Sequence, residues 1–421
     1  MNVLQQFEVI VTSGTWRQAV MTLLGNPALV ATGSLLRDPR REPAGLLIEL
    51  LTAGDTSATG ADFPPLADWI ALAAPAGDPP NDPGPWIRRL EPCFAQMLVI
   101  LLIGFGRERQ TWRGWTVERG EVRPLLGLRI VGPGMVQVSA HRFVDPLSAP
   151  DDARWSRLRG ALGPAAFTKV RAASIGVVGC SRSGTLAAGM FAALGARGLV
   201  LIDGDSIEAH NLDGMILTTE ADMEANKAVA LGRRLVAFRS DLFVKAVARP
   251  LNSGLAETAV GGVDLLVTCV DQDGPRLRAA HLARERLTPH LDVGTGVRAR
   301  AGGQRQLAAD VRLLLPGAGC IRCVGGLADL DQAEYELHEP AGALPRRPPD
   351  PWNARGRLGS LITLNSLAVS FGVQSWLDLL EGSLAGSVWH RLHWRPGGGL
   401  EVDSGLVAAG AGCPLCRPEG R

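Results

Sequence analysis

Two rhythms of apolar and polar positions run through the second half of the chain. Short runs rich in branched apolar residues read as buried strands: 173–178, 198–202, 244–248, 263–270 and 290–293. Between them, residues 184–194, 226–238 and 274–287 carry apolar side chains at helical spacing. Strands separated by helices of this length predict βαβ units, and so an α/β, Rossmann-like, mostly parallel sheet with helices on both faces. Further on, 359–380 reads as a long apolar helix, and 388–394 with 399–402 as a hairpin.

The first half is punctuated by proline and glycine. Apolar runs at 46–51, 97–105 and 127–138, the last holding a Pro-Gly turn, suggest a smaller α/β module. The stretch 52–85 reads as loop, because the prolines of PAGDPPNDPGP forbid regular structure over its end. A linker at VDPLSAP, residues 144–150, separates an N-terminal domain (1–145) from the second one (151–421).

The 421 residues suffice for two cores. Lys plus Arg number 43 and Asp plus Glu 42, a net charge of +1 that argues against a nucleic-acid partner. A content of 46% hydrophobic residues argues against disorder. The longest apolar run, 97–105, is far below the roughly 20 residues that cross a bilayer, so no membrane is expected. No basic segment precedes an apolar one at the start, which points to the cytoplasm. Among seven cysteines, Cys320/Cys323 and Cys413/Cys416 form two Cys-x-x-Cys pairs, the pattern of one tetrahedral zinc site.

The glycine loop Gly179-Cys180-Ser181-Arg182-Ser183-Gly184 follows a strand and opens a helix, where backbone amides can hold phosphate. Taken alone, it also fits an ordinary tight turn. Asp203 and Asp205 end the next strand, about 20 positions on, where a carboxylate can accept from a ribose. That much suits an NAD enzyme as well as an ATP enzyme. Asn211, Lys227 at a helix start and Asp271 after a strand end tip the balance to a triphosphate with Mg²⁺. Lysine offers a point charge to phosphate and aspartate a hard oxygen to the metal.

These motifs, in this order, resemble the ThiF/MoeB superfamily, which includes the adenylation domains of ubiquitin-activating enzymes. The resemblance covers roughly residues 151–421. Arg154-Trp155-Ser156-Arg157 is similar to an opening motif whose second arginine reaches ATP in the dimer partner. The resemblance implies a nucleotide held by Gly179, Ser181, Arg182, Gly184, Asp203, Asp205, Asn211 and Lys227. It implies catalysis by Arg157, Lys227 and Asp271, with Asp271 on magnesium, and zinc on Cys320, Cys323, Cys413 and Cys416. The implied cofactors are ATP, Mg²⁺ and Zn²⁺. The implied reaction is ATP-dependent adenylation of the C-terminal glycine of a ubiquitin-like or sulfur-carrier protein, in a homodimer, with apolar surface beyond the sheet cradling the carrier's tail. A conjugating enzyme would be a further partner.

Three positions depart from the pattern. The arginine of the Asn-Leu-x-Arg motif is Gly214, and Arg182 could supply the missing charge. The loop's middle glycine is Ser181. No cysteine lies between Cys323 and Cys413, where ubiquitin-activating members carry their nucleophile. Cys93, Cys180 and Cys269 read as structural, as do the seven histidines. In the first half, RGWTVERGEVRPLLGLRIVGPG resembles the tail of JAB-type isopeptidase domains, yet residues 1–140 contain no histidine to hold their zinc. An inactive JAB-like domain and an unrelated partner-binding domain both fit. The JAB-like pairing implies a bacterial ubiquitin-like conjugation pathway, with antiviral systems among those it resembles. The alternatives are a sulfur-carrier adenylyltransferase of cofactor biosynthesis and a non-catalytic nucleotide-binding scaffold.

Overall fold

In a computed structural model the chain divides into two compact units, Met1–Ser148 and Ala149–Arg421. The structure describes residues 153–299, 305–328, 357–394 and 398–416, a few positions from 330 to 334, and the first-half elements named next. The linker, Cys93, His141 and His338 lie outside the described residues.

Among those residues the first unit holds nine strands in one mixed sheet. They are β1 (Phe7–Thr12), β2 (Val30–Asp38), β3 (Ala44–Gly54), β4 (Trp69–Ala73), β5 (Met97–Phe105), β6 (Gln110–Glu118), β7 (Glu121–Pro124), β8 (Gly127–Val131) and β9 (Val136–Ser139). Their order is β7-β6-β5-β4-β2-β3-β1-β8-β9. One helix, α1 (Gly84–Leu90), accompanies them, so strand content exceeds what the apolar runs suggested. The presumed loop 52–85 also contains β4, whose apolar WIALA pairs in parallel with β5. Its flanking prolines hide it, although a strand of five residues needs no long run.

The second unit follows its predicted rhythm. Helix α2 (Ser156–Ala172) leads into β10 (Ser174–Val178), α3 (Arg182–Ala193) and β11 (Gly198–Ile202). Then come α4 (Lys227–Phe238), β12 (Phe243–Val247), α5 (Gly254–Ala259) and β13 (Leu265–Thr268). Helix α6 (Asp273–Glu285), β14 (His290–Ala299), β15 (Arg305–Leu314) and β16 (Arg357–Gly359) follow. Helix α7 (Ile362–Glu381), β17 (Val388–Trp394) and β18 (Leu400–Leu406) complete it. The order is β12-β11-β10-β13-β14-β15-β17-β18, with β16 beside β14. The first five run parallel, and β15, β17 and β18 extend the sheet antiparallel.

Local chemistry sets the helix ends. Asn226 caps α4 by accepting from the Val229 amide at 3.2 Å. Gly382 ends α7 in the left-handed region, with φ 84°. Helix α7 covers the antiparallel extension and buries Trp376 edge-on against Phe191 at 5.3 Å, a pair worth about 0.5–1.5 kcal/mol beyond its area.

Since β10 and β13 are sheet neighbours while their connections leave in opposite directions, a crevice opens at their carboxyl ends. In this topology that crevice is the place for a ligand.

One buried side chain has a readable pH cost. His290 is 2% exposed; its Nε2 lies 2.9 Å from the Thr268 hydroxyl, which itself donates to Asp292 at 2.7 Å. The ring therefore carries its proton on Nε2, and Nδ1 has no hydrogen-bond partner among the described residues. Burial pushes its pKa down to about 4. The unfolded ring takes a proton below its ordinary 6.5, whereas the folded ring stays neutral to about 4. Folding stability should fall on acidification through that window, by on the order of 3 kcal/mol. Thermal melting from pH 7 to 4 should be steeper in the wild-type chain than in His290→Gln. Equal slopes would contradict this reading.

Candidate nucleotide and metal sites

The crevice is a cleft of about 1220 Å³. Its lining includes Gly179, Ser181, Arg182, Asp203, Asp205, Asn211, Lys227 and Asp271. Eight positions spread over more than ninety residues of sequence thus meet in one place, because each follows the carboxyl end of a parallel strand.

The glycine loop is a close-packed turn. Gly179 has φ 86°, and a Cβ there would sit 2.7 Å from the Cys269 carbonyl oxygen. At Gly184, which lies behind the cleft rather than in its lining, a Cβ would fall 1.8 Å from the Gly179 carbonyl oxygen. Only glycine fits either place. Ser181 precedes the first turn of α3 and leaves the loop intact, so the substitution does not block the backbone's course.

Asp203 binds this loop to the end of β11. One carboxylate oxygen accepts the Cys180 amide at 2.7 Å and the other the Asp205 amide at 2.9 Å. Burial raises its pKa, against the opposing pull of those two amides. Each oxygen keeps a further lone pair, so a sugar hydroxyl can still be accepted.

Asn226, not singled out from the sequence, donates to the Asp203 and Asp205 carbonyls at 2.9 and 3.0 Å. Lys227 is 8% exposed and reaches the Asp205 carboxylate at 3.1 Å. Asn211 is buried and accepts the Glu208 amide at 3.0 Å. Arg182 donates from Nη2 to the His210 carbonyl at 2.7 Å and pairs with Asp213.

Asp271 is exposed at the opposite lip, and the backbone beside it is pinned from below. Arg276 donates one nitrogen to the Val270 carbonyl at 2.6 Å and another to Asp292 at 3.1 Å. Asp292, fully buried, also accepts from Arg312 at 2.7 Å. Burial pushes the Asp292 carboxyl up, but the two guanidiniums outweigh it and hold it below the usual range. These residues escaped the sequence reading. The alternation in 305–314 was the available signal, since Leu307, Ala309, Val311 and Leu313 share one face of β15, opposite Ala308, Asp310 and Arg312.

That strand also changes the expectation of an apolar cradle. The far lobe of the cleft is lined by Thr295, Gly296, Ala308, Asp310, Arg391 and His393, a polar floor with two small residues. The alternation turns the apolar members of β15 toward the core, which leaves charge in the cleft.

Arg157 is not among the cleft residues. It is exposed at the start of α2, next to Trp155. Trp155 is buried against Gly195, with the Arg171 and Arg154 guanidiniums 4.7 and 4.8 Å from its ring. Gly195 precedes β11, so this anchor sits at the amino edge of the sheet. A five-residue strand, roughly 16 Å, separates that edge from the cleft.

Neither free cysteine near the loop is activated. Burial raises the Cys180 thiol well above its ordinary range, and burial with the nearby Asp292 raises Cys269 to about 12. A nucleophilic thiolate needs the opposite shift.

The four paired cysteines come together. The Sγ atoms of Cys320, Cys323, Cys413 and Cys416 all lie within 4.8 Å of one another, as a tetrahedral thiolate set requires. Hydrogen bonding from Cys416 pulls the Cys320 thiol down to about 5 and holds Cys416 far above its ordinary value. The knuckle borders the cleft: Gly325, Gly326 and Ala328 line it, and the Ala328 amide donates to Asp273 at 2.8 Å.

The family model for the ThiF family matches residues 155–368, just over half of the sequence. The chain belongs to the ThiF family. It is 27% identical over 239 residues to the sulfur carrier protein ThiS adenylyltransferase of Escherichia coli (strain K12), covering 55% of this chain and 86% of that protein. With the adenylyltransferase and sulfurtransferase MOCS3 of Mus musculus it shares 31% identity over 153 residues, 36% of this chain and 32% of the relative, so it spans about a third of that protein. Among solved structures, E. coli MccB with succinimide aligns at 20% identity and a TM-score of 0.48, over 63% of this chain and 75% of that one. The ThiF match spans the whole parallel sheet and stops within α7, short of Cys413 and Cys416.

The thiolate set should hold one zinc per chain, measured by elemental analysis of the purified protein. The Cys413→Ser, Cys416→Ser double variant should lose it. Zinc retained at one equivalent in that variant would contradict the assignment.

Proposed function

We propose that this chain is an ATP-dependent adenylating enzyme that activates the C-terminal glycine of a ubiquitin-like or sulfur-carrier protein. The observation that carries this reading is the convergence of the glycine loop, Asp203, Asp205, Lys227 and Asp271 on one cleft. A buried lysine and an exposed aspartate in one cleft suit a triphosphate with Mg²⁺ better than they suit NAD.

In the reaction, a carboxylate oxygen of the carrier attacks the α-phosphorus of ATP. The new oxygen–phosphorus bond forms as the bond to the β-phosphate bridging oxygen breaks. Pyrophosphate leaves with those electrons, and the acyl-adenylate remains. Loop amides and the α3 amino terminus cradle phosphate oxygens. Lys227, its stem desolvated, directs its ammonium at the charge that builds on the phosphates. Mg²⁺, when bound at Asp271, would offset charge on the triphosphate and orient it. Asp203 and Asn211 hold the nucleoside end, Asp203 through the lone pairs that the loop amides leave free.

Arg157 lies too far from its own cleft to take part, which favours a homodimer in which it completes the partner's site. Burial raises both cysteines beside the glycine loop, Cys180 and Cys269, and the four paired cysteines are committed to the metal set, so the chain adenylates without forming its own thioester, and a separate conjugating enzyme or sulfur donor consumes the product. The JAB-like segment of the first half favours ubiquitin-like conjugation, with defence against viruses as one setting. The likeness to a ThiS adenylyltransferase over most of that protein's length favours sulfur transfer instead. Supplying the purified enzyme with candidate carriers of each type, and scoring ATP–pyrophosphate exchange, separates the two. A chain that binds ATP but exchanges with neither type is a nucleotide-binding scaffold.

Asp271→Ala and Lys227→Ala should each lower ATP–pyrophosphate exchange by about a hundredfold or more. Asp271→Ala should melt like the wild-type chain, because Asp271 is exposed. Lys227→Ala should lose some stability, since a buried, paired side chain is removed. Normal exchange in both would exclude this site. Mixing Arg157→Ala with Asp271→Ala chains should restore one working site per heterodimer. No recovery after confirmed subunit exchange would exclude the composite site.

A further inference from the structure

Arg182 and Gly214 fit each other as a pair. The first, inside the glycine loop, opens α3, and the second lies thirty-two positions on, in the turn after Asn211. A Cβ built on Gly214 would fall 2.7 Å from Arg182 Nη1 and 3.0 Å from both its Cγ and Cδ. The arginine therefore lies flat along the space that a side chain at 214 would occupy. Its Nη2 is held by the His210 carbonyl at 2.7 Å and by Asp213, whose side chain is 70% exposed. The hydrogen bond and ion pair of its guanidinium both run through Nη2 among the described residues, while Nη1 lies over Gly214 and the residue lines the cleft.

Resting on the nucleotide-cleft reading, we infer that Arg182 is a triphosphate-binding residue whose seat exists because position 214 has no side chain, so that a guanidinium delivered from 214 can replace it. Three observations combine. Arg182 lines the same cleft as Lys227 and Asp271. Its exposed partner, Asp213, screens it weakly, so the pair can be exchanged for a phosphate at small cost. And the carbonyl of His210 fixes its direction before any ligand arrives, a preorganisation that strengthens anion binding. Arg182 is the group that the sequence offered for the charge missing at 214, and the geometry places it over that residue.

The test is a reciprocal exchange, read by calorimetric binding of ATP with Mg²⁺ and of adenosine to the full-length chain. Arg182→Gly should weaken ATP binding about tenfold or more, as loss of a charge-assisted contact implies, and leave adenosine binding unchanged. Gly214→Arg in the wild-type background should also weaken ATP binding, because two guanidiniums compete for one space. The combined Arg182→Gly, Gly214→Arg chain should return to within about threefold of wild type, since one guanidinium again occupies the seat. Should Arg182→Gly melt early, Arg182→Gln keeps a donor to the His210 carbonyl without the charge and should show the same loss. Unchanged ATP affinity in the folded Arg182 variants, or a combined variant no tighter than Arg182→Gly, would overturn the inference while the nucleotide cleft stands. A folded wild-type chain that binds no ATP would overturn the cleft reading, and this inference with it.

Discussion

The hydrogen bond from the Cys180 amide to the Asp203 carboxylate holds the candidate site together. It joins the turn after the first parallel strand to the end of the second. From it follow the direction of the loop amides, the entry of α3 and the place of Asp205. Asp205 in turn sets Lys227, through the ammonium and through the Lys227 amide, which donates to the Asp205 carbonyl at 2.9 Å. The bond is charge-assisted and largely desolvated, conditions under which such contacts contribute about 1.5–3 kcal/mol. It requires two bare backbone positions, Gly179 and Gly184, since a side chain at either would drive the loop off its seat.

On the far side of the cleft a second carboxylate does comparable work. Asp292 gathers Arg276 and Arg312 in the interior, and Arg276 carries that order outward to the carbonyl preceding Asp271. The four-cysteine knuckle meets the same loop through Asp273. Cysteine cluster, antiparallel extension and cleft lip are therefore one connected structure. A metal held by the four thiolates would tie down the wall at Gly325–Ala328 as well as the C-terminal segment.

Much of this was legible in the sequence, and the reason is physical. Strands buried on both faces, such as Leu199 to Ile202, must be continuously apolar, and a turn that brings Gly184 onto the Gly179 carbonyl must be glycine. Those constraints write themselves into residue type. The strand β15 was missed because one of its faces lines the cleft, so Asp310 and Arg312 interrupt the apolar run. The Asp292 cluster joins residues sixteen and twenty positions apart through a sheet register that no local pattern encodes. In the first half, β4 hides between proline-rich segments, and strands of a mixed sheet leave a weaker periodicity than βαβ units.

The central claim is that ATP with Mg²⁺ occupies the cleft at the carboxyl edge of the parallel sheet. Amide hydrogen exchange of the full-length chain, with and without ATP and Mg²⁺, tests it most directly. The account predicts slowed exchange confined to residues 179–184, 203–211 and 269–273, with no comparable effect from NAD. Protection by NAD at those segments, or protection by ATP elsewhere with these three unchanged, would contradict it.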